Sequence, residues 1–524
     1  VRFFVTLQKS GIYRQLMRVL FALLLSFIIF PTSAQVTFDT TFGTNGIAAS
    51  TNISQDPLRL FYENDHYYVA LETNGVCSRN FDGSVNTAFG SGGTYYFNST
   101  GQNDYVKYAK LHNGFLYLFG ATKIGTSTQE KAFVVKISLA GVPDPTFGTN
   151  GKANLDFGYT DEGIKDLLIT DTGELYGAGY SNKTMLVCKI TPSGTLDTSF
   201  NSTGYRTYPL NNPETSSAAS IFLQGGELLI MGASVFGPNI VGGVKYAVLL
   251  KTDLAGNPIS SYGSNGKKLF ELAPSSMLCS RTVKRGVIGD DGNYYLYFTQ
   301  GCQGFAGAYI AKYNPSTDVF VTQFLSSVPD QYCDYSIDSS GKTFLTGMYS
   351  CSTWSGSTIC SRKATLLKKN ADGTPDLTFN GTGNFTYAVP PVVNNEDYTM
   401  AYYRHADGRV VTAGRTNNQY SAFGFAFAMM RLYDNPTTPS LDVADISKND
   451  GFKLFPNPVG SELFIQNQNQ LLVTGISIQD VYGNLVYVKK GPVSPIEVSN
   501  LSAGLYFLTI STEDKDVTLK VLKK

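Results

Sequence analysis

One short phrase returns through most of this chain and constrains its fold more than anything else in it. It is clearest at Thr41-Phe42-Gly43-Thr44-Asn45-Gly46 and recurs as Thr146-Phe147-Gly148-Thr149-Asn150-Gly151. Looser copies begin at Ala88-Phe89, Ser199-Phe200, Ser261-Tyr262 and Thr378-Phe379. A seventh is placed by register between Tyr313 and Phe324, where the glycines are gone. The aromatic positions therefore run 42, 89, 147, 200, 262, roughly 320 and 379, a period that signals a repeat architecture. A ring followed by Gly or Asn and then a closing Gly reads as an inward plug on a turn needing positive φ.

Between motifs the same order of elements returns. In the second unit Thr94–Phe97 reads as a first strand, Tyr105–Leu111 as a second, Phe115–Gly120 as a third and Lys131–Ile137 as a fourth. A turn such as Asp171-Thr172-Gly173, Asp291-Gly292-Asn293 or Ala406-Asp407-Gly408 precedes each third strand, the usual sign of a hairpin. A four-stranded antiparallel unit has two apolar faces and cannot cover both alone, so neighbouring units must stack. The expected fold is all-β: a seven-bladed β-propeller of four-stranded blades over residues 36–434, ending with Phe425–Tyr433 as the fourth strand of the seventh unit. An open solenoid of the same hairpins is the alternative. The 52 Gly and 67 Tyr plus Phe suit many short strands joined by tight turns.

Residues 1–34 read as a signal peptide. Arg14 and Arg18 precede the apolar run Val19–Phe30, and Pro31-Thr32-Ser33-Ala34 supplies small residues for cleavage before Gln35, with Met17 as a possible true start. Lys plus Arg (41) balances Asp plus Glu (41), so no net field draws the protein to nucleic acid. Nothing later in the sequence reads as a stable membrane span. At Asp434-Asn435-Pro436-Thr437-Thr438-Pro439 the repeat register breaks, giving a linker at 435–450 and a small β-sandwich at 451–524.

Two resemblances follow from these residues. Leu139-Ala140-Gly141 through Asp144, Phe147, Gly148 and Gly151 resembles the delta-60 repeat of secreted and surface bacterial proteins, a family that implies a fold rather than an activity. The tail resembles the type A C-terminal sorting domain of the type IX secretion system of Bacteroidota. The matching features are Phe455-Pro456-Asn457-Pro458, the turn Asp480–Asn484, Gly504-Leu505-Tyr506, and Lys520, Lys523 and Lys524. That resemblance implies export across the outer membrane, with the secretion machinery and its processing peptidase as partners. A secreted or outer-membrane-attached location is expected.

Candidate sites are few. Seven Cys in an exported chain allow disulfides, and Cys351–Cys360 and Cys279–Cys302 are the candidate pairs. Cys351 and Cys360 bracket a loop carrying Trp354, the one Trp of the chain and the candidate for ligand contact. Three His and no Cys-x-x-Cys leave little for a metal site, and no metal or cofactor is expected. The turn residues Asp171, Asp290, Asp291, Asp372, Asp376 and Asp407 read as caps of local amides rather than calcium ligands. No nucleophile elbow is present, and no catalytic residue is assigned. The leading expectation is a secreted or surface binding and adhesion module with a glycan or protein ligand. The alternatives are a hydrolase or lyase on extracellular polysaccharide and a structural envelope protein.

Overall fold

A computed structural model describes residues 36–434 and 452–524. Within the first span it leaves out 51, 54, 98–101, 126–128, 211–213, 237–243, 273–278, 303–304, 327–333, 338–341, 350–351, 355–356, 360–362, 388–396 and 417–425. Within the second it leaves out 468–470, 481–484, 492–493 and 513–515. The leader with Met17, Cys351, Cys360, the linker at 435–450 and most of the Asp480–Asn484 turn therefore lie outside the described residues. The chain divides into two compact units at Pro436/Thr437, and each is described by itself.

All regular structure described in the first unit is antiparallel β. The first sheet holds Pro57–Glu63, His66–Leu71, Gly75–Asn80 and Thr94–Tyr96. The second holds Gln102–His112, Phe115–Ile124, Glu130–Ser138 and Lys152–Leu155, and the third Glu162–Ile169, Leu175–Ser181, Thr184–Ile190 and Tyr205–Thr207. The fourth starts at Glu214–Gln224, the fifth at Cys279–Ile288 and the sixth at Asp334–Ile337, each again of four strands. The seventh combines Asp397–Arg404, Arg409–Thr416 and Ala426–Tyr433 with two N-terminal strands, Thr37–Phe38 and Ile47–Ser50.

Two sequence expectations are corrected here. Thr94–Tyr96 pairs with Gly75–Cys77 of the preceding sheet instead of opening a new one. The motif turn is thus a connection within a sheet, between its third and fourth strands, and each sheet is offset by one strand from the unit read in the sequence. For the same reason Ala426–Tyr433 is a third strand, not a fourth. Its outer partner is Ile47–Ser50, with Ile47 opposite Met430 and Ser50 opposite Phe427. The first and last described strands of the unit share one sheet.

The motif explains how sheets adhere. At Phe147 the Asp144 carboxylate accepts from the Thr146 amide (2.9 Å), and the Phe147 amide donates to the Asp144 carbonyl (3.1 Å), which folds the turn inward. Gly148, at φ 57°, then donates its N–H to the Ser193 carbonyl of the third sheet at 2.8 Å. A Cβ on Gly148 would stand 2.2 Å from the Lys152 carbonyl oxygen, so a side chain here requires the turn to open, and the other occupant of this place in the repeat is Asn, at φ 51° in Asn201 and Asn380. Across the junction a Cβ on Gly194 would meet the Gly148 nitrogen at 2.9 Å. The same clasp joins Gly43 to the Asp82 carbonyl and Gly90 to that of Ala140.

Each plug sits in the core between its own sheet and the next. Phe89 packs between the first and second sheets, Phe147 between the second and third, and Phe200 between the third and fourth. Tyr262 packs between the fourth and fifth, Phe379 between the sixth and seventh, and Phe42 between the seventh and first. The exception is the copy placed by register. The chain there makes a tight turn after Asn314, and Phe320 stacks back on Phe270 at 4.5 Å, into the core between the fourth and fifth sheets. Among the described residues, the core between the fifth and sixth sheets, built on Tyr297, Tyr335 and Leu345, therefore has no motif ring.

The second unit has a three-stranded sheet of Phe452–Phe455, Glu462–Asn467 and Ile496–Glu497. A four-stranded sheet runs in the order Leu485–Lys490, Val473–Asp480, Gly504–Thr512, Asp516–Lys523. Both contribute to one core, with Leu463 and Ile496 meeting Ile478, Leu508 and Ile510. The entry strand stops at Phe455, and the Phe455–Pro456 and Asn457–Pro458 bonds are cis. The prolines therefore follow the strand instead of extending it. Asn457 ties this loop to the last strand, donating to the Lys520 carbonyl and accepting from the Leu522 amide, both at 2.8 Å.

Candidate functional site

First strands of distant sheets converge, as contacts between them show. Arg59 of the first sheet donates to both oxygens of Asp334 of the sixth, at 2.6 and 2.5 Å, and Arg285 of the fifth reaches Asp334 at 3.4 Å. The guanidinium groups of Arg285 and Arg59 lie 4.7 and 5.3 Å from the ring centre of Tyr108, which belongs to the second sheet. Sheets separated by more than one hundred residues of chain thus meet at one place.

Six of these strands carry a β-bulge at the same register position. The ladder shifts between Pro57 and Arg59, Val106 and Tyr108, Ile164 and Asp166, Ala218 and Ser220, Val283 and Arg285, and Thr399 and Ala401. A bulge leaves one residue unpaired and re-aims it. Those residues are Leu58, Lys107, Lys165, Ala219, Lys284 and Met400. The bulge also crowds the neighbouring strand. A Cβ on Gly120 would fall 2.0 Å from the Tyr105 carbonyl oxygen, and one on Gly179 1.9 Å from that of Gly163. This accounts for the glycines that interrupt the second strands at 120, 179, 232 and 414.

The convergence encloses a cavity of about 330 Å³, lined by Lys107, Lys165, Lys284, Arg285, Tyr108 and Glu72 among others. Its acids have partners of their own. Asp166 pairs with Lys110 at 2.8 Å and accepts the amides of Leu167 and Ile221, both at 2.9 Å. Glu72 is pushed up by burial and by the nearby Asp56, with which it shares a hydrogen bond. The three bulge lysines are in the opposite condition. Lys165 donates to the Ser217 hydroxyl at 2.9 Å. Lys107 has Glu72 as a charged neighbour and Lys165 has Asp161, while among the described residues none of the three lysines forms an ion pair within 4.0 Å. Desolvation, reinforced by the charges of Lys107 and Lys284, pulls the Lys165 ammonium down to about 8. The Tyr108 hydroxyl is buried with no hydrogen-bond partner, and burial raises it to about 12. The arrangement offers cations and an unused donor to a compact anion.

The residues singled out in the sequence fall elsewhere. Phe42, Phe89, Phe147, Phe200 and Phe379 are fully buried between sheets, and Tyr262 is partly buried, so their role is architectural. Asp291, Asp372, Asp376 and Asp407 each accept an amide two residues on, at 2.9 to 3.1 Å, as turn caps do. Trp354 lies in a separate hairpin, Ser352–Trp354 paired with Ser357–Ile359. Cys279 and Cys302 face each other across the ladder of the fifth sheet. Cys77 and Cys188 are buried free thiols pushed up to about 11 and 12 by desolvation, which makes them core residues. In the tail, Tyr506 is buried with its hydroxyl on the Ser502 carbonyl at 3.0 Å, Gly504 opens its strand opposite Lys523, and Lys520 is exposed. The lysines of the cavity escaped the sequence reading, because a lone Lys in a strand reads as a solvent face. For Lys107 and Lys165 the signal was a glycine in the next strand, Gly120 and Gly179, opposite the bulge; Lys284 has no such glycine, since Val283 faces Phe298.

Residues 453–524 match the family model described as the secretion system C-terminal sorting domain. The tail is a type IX sorting domain, and it defines the chain as a cargo of that system, secreted or held at the cell surface. Among the described residues no helix is long and apolar enough to cross a membrane, and no group of three or more His, Cys, Asp and Glu is placed to hold a metal. No curated protein matches the sequence. Among solved structures, the polysaccharide lyase Uly1 is similar at 7% identity and TM-score 0.43, covering 73% of this chain and 90% of the lyase. An exo-1,5-alpha-L-arabinanase from a bovine ruminal metagenomic library is similar at 8% identity and TM-score 0.30, covering 52% and 98%. Drosophila Semaphorin 1b, extracellular domains 1-2, is similar at 10% and 0.36, covering 76% and 87%. None of these likenesses is close enough to carry an activity to this chain.

Proposed function

We propose that this protein is an exported binding module: a seven-bladed β-propeller of delta-60-type repeats that takes a ligand into its central cavity. A leader at 1–34 starts export, and a β-sandwich tail beyond the linker is read by the type IX machinery and removed by its peptidase. Support for the ring comes from seven sheets, each sharing a core with the next and the last with the first. The observation that carries the binding reading is the cavity where the first strands meet, lined by three lysines with no ion pair among the described residues and by an unpartnered tyrosine hydroxyl. Exported proteins with rigid scaffolds commonly place recognition at such convergence points.

Glycan-array binding by the full chain tests this. Leu58→Trp, which narrows the cavity at a bulge without changing charge, is expected to abolish binding, and Trp354→Ala to leave it intact. Loss with Trp354→Ala alone would move the site to the hairpin. A second reading, an enzyme on extracellular polysaccharide, is favoured by one observation, the hydrogen-bonded Glu72 and Asp56 carboxyls at the cavity edge. New reducing ends or unsaturated products released from a polysaccharide by the wild type, and not by Glu72→Gln, would establish it.

A further inference from the structure

The cavity has a chemical preference that its shape alone does not give. We infer that Lys107, Lys165 and Lys284, set at equivalent bulges of three first strands, form a receptor for the acidic group of an extracellular saccharide, with the Tyr108 hydroxyl as an additional donor. The inference rests on the binding reading above and names the ligand class for that same site.

Three observations carry it. First, the lysines are clustered by construction: the bulge re-aims the same register position in the second, third and fifth sheets, and all three line one cavity. Second, two of the local acids are occupied. Asp166 is held by Lys110 and two amides, and Asp334 by Arg59 and Arg285. The remaining charged neighbours are Glu72 beside Lys107 and Asp161 beside Lys165, and Glu72 is also engaged with Asp56 and Arg415. Three ammonium groups brought together with less counter-charge than their own cost free energy that an anionic ligand returns. Third, the Tyr108 hydroxyl is buried without a partner, and a buried unsatisfied donor is what a ligand oxygen would satisfy.

A saccharide is favoured over an acidic peptide on size. About 330 Å³ accommodates one or two sugar rings and little more. A chain displayed outside the cell also meets carboxylated and sulfated glycans there. The acidic group can be a uronate carboxylate or a sulfate ester, since both present oxygens to ammonium donors in the same way.

Calorimetric titration of the full chain with digalacturonate, a sulfated galactose disaccharide, the neutral digalactoside and triglutamate tests this. One or both acidic sugars are expected to bind, and which one identifies the acid. The neutral sugar is expected to bind weaker by about tenfold or more, the loss that follows from removing a charge-assisted hydrogen bond. Lys107→Met and Lys284→Met are exposed and expected to keep the fold, checked by an unchanged melting curve, while each weakens acidic-sugar binding severalfold. Equal binding of neutral and acidic sugars, or full affinity in the double variant, would overturn the inference. If neutral sugars bind and Leu58→Trp abolishes it, the cavity reading survives while the charge assignment falls. Triglutamate binding as tight as the sugars would replace the saccharide with an acidic peptide. Loss of charge dependence together with indifference to Leu58→Trp would remove both readings.

Discussion

Phe147 and its counterparts are the residues on which stacking turns. Phe147→Ala would leave a void between two sheets and is expected to cost about 3–5 kcal/mol, read by chemical denaturation, the usual loss for a buried ring. Arg431 shows a second kind of dependence. It is 1% exposed, donates to Asp39 at 2.7 Å, to Thr41 at 2.9 Å and to the Phe81 carbonyl, and lies between the rings of Phe42 and Phe81. Arg431→Met strands the buried Asp39 carboxylate and is expected to destabilise by about 3–5 kcal/mol in the same assay. His405 sets a pH response. Burial holds its imidazolium down to about 4 from 6.5, among Tyr62, Tyr67, Phe81 and Tyr403, with Asp407, Arg409 and Arg431 as its charged neighbours. The unfolded chain binds the proton first, so this contribution is present above 6.5 and is lost as pH falls toward 4. The melting temperature is expected to drop across that window, and to drop less in His405→Phe. The aromatic plugs were legible in sequence because a repeated ring beside glycines has few other uses. The bulge lysines were not, because their direction depends on ladder register, which no single strand encodes.

Among elements, the hairpins followed the Asp-Gly and related turns as read, while the sheet boundaries did not. A turn signal tells that two strands are joined, not which of two sheets they serve, and the motif could equally have linked units. The fifth sheet shows what loss of the motif does. With Phe320 turned back, the junction between the fifth and sixth sheets lacks a plug, and amide exchange there is expected to be faster than at the junction holding Phe147. The Cys279 to Cys302 register puts two cysteines directly opposite on antiparallel strands, where either kind of pair brings Cα atoms within disulfide range. Peptide mapping under non-reducing conditions is expected to recover that link from exported protein.

At the level of the molecule, the two units were visible in the sequence as a break in period followed by new composition, and the sorting tail was visible as a motif set. How the array joins its own ends was not visible, because the pairing of Ile47–Ser50 with Ala426–Tyr433 spans nearly the whole first unit. Removal of residues 36–50 is expected to replace a cooperative melt with a broad one and to promote self-association, since it bares the edge of the seventh sheet. That shared sheet also sets a timetable. A chain emerging N-terminus first holds its opening strand without a mate until about the final fifth of its length arrives, so threading through a pore and completing the fold are separate events. Whatever holds the cargo meanwhile must guard a sticky leading edge rather than a finished domain.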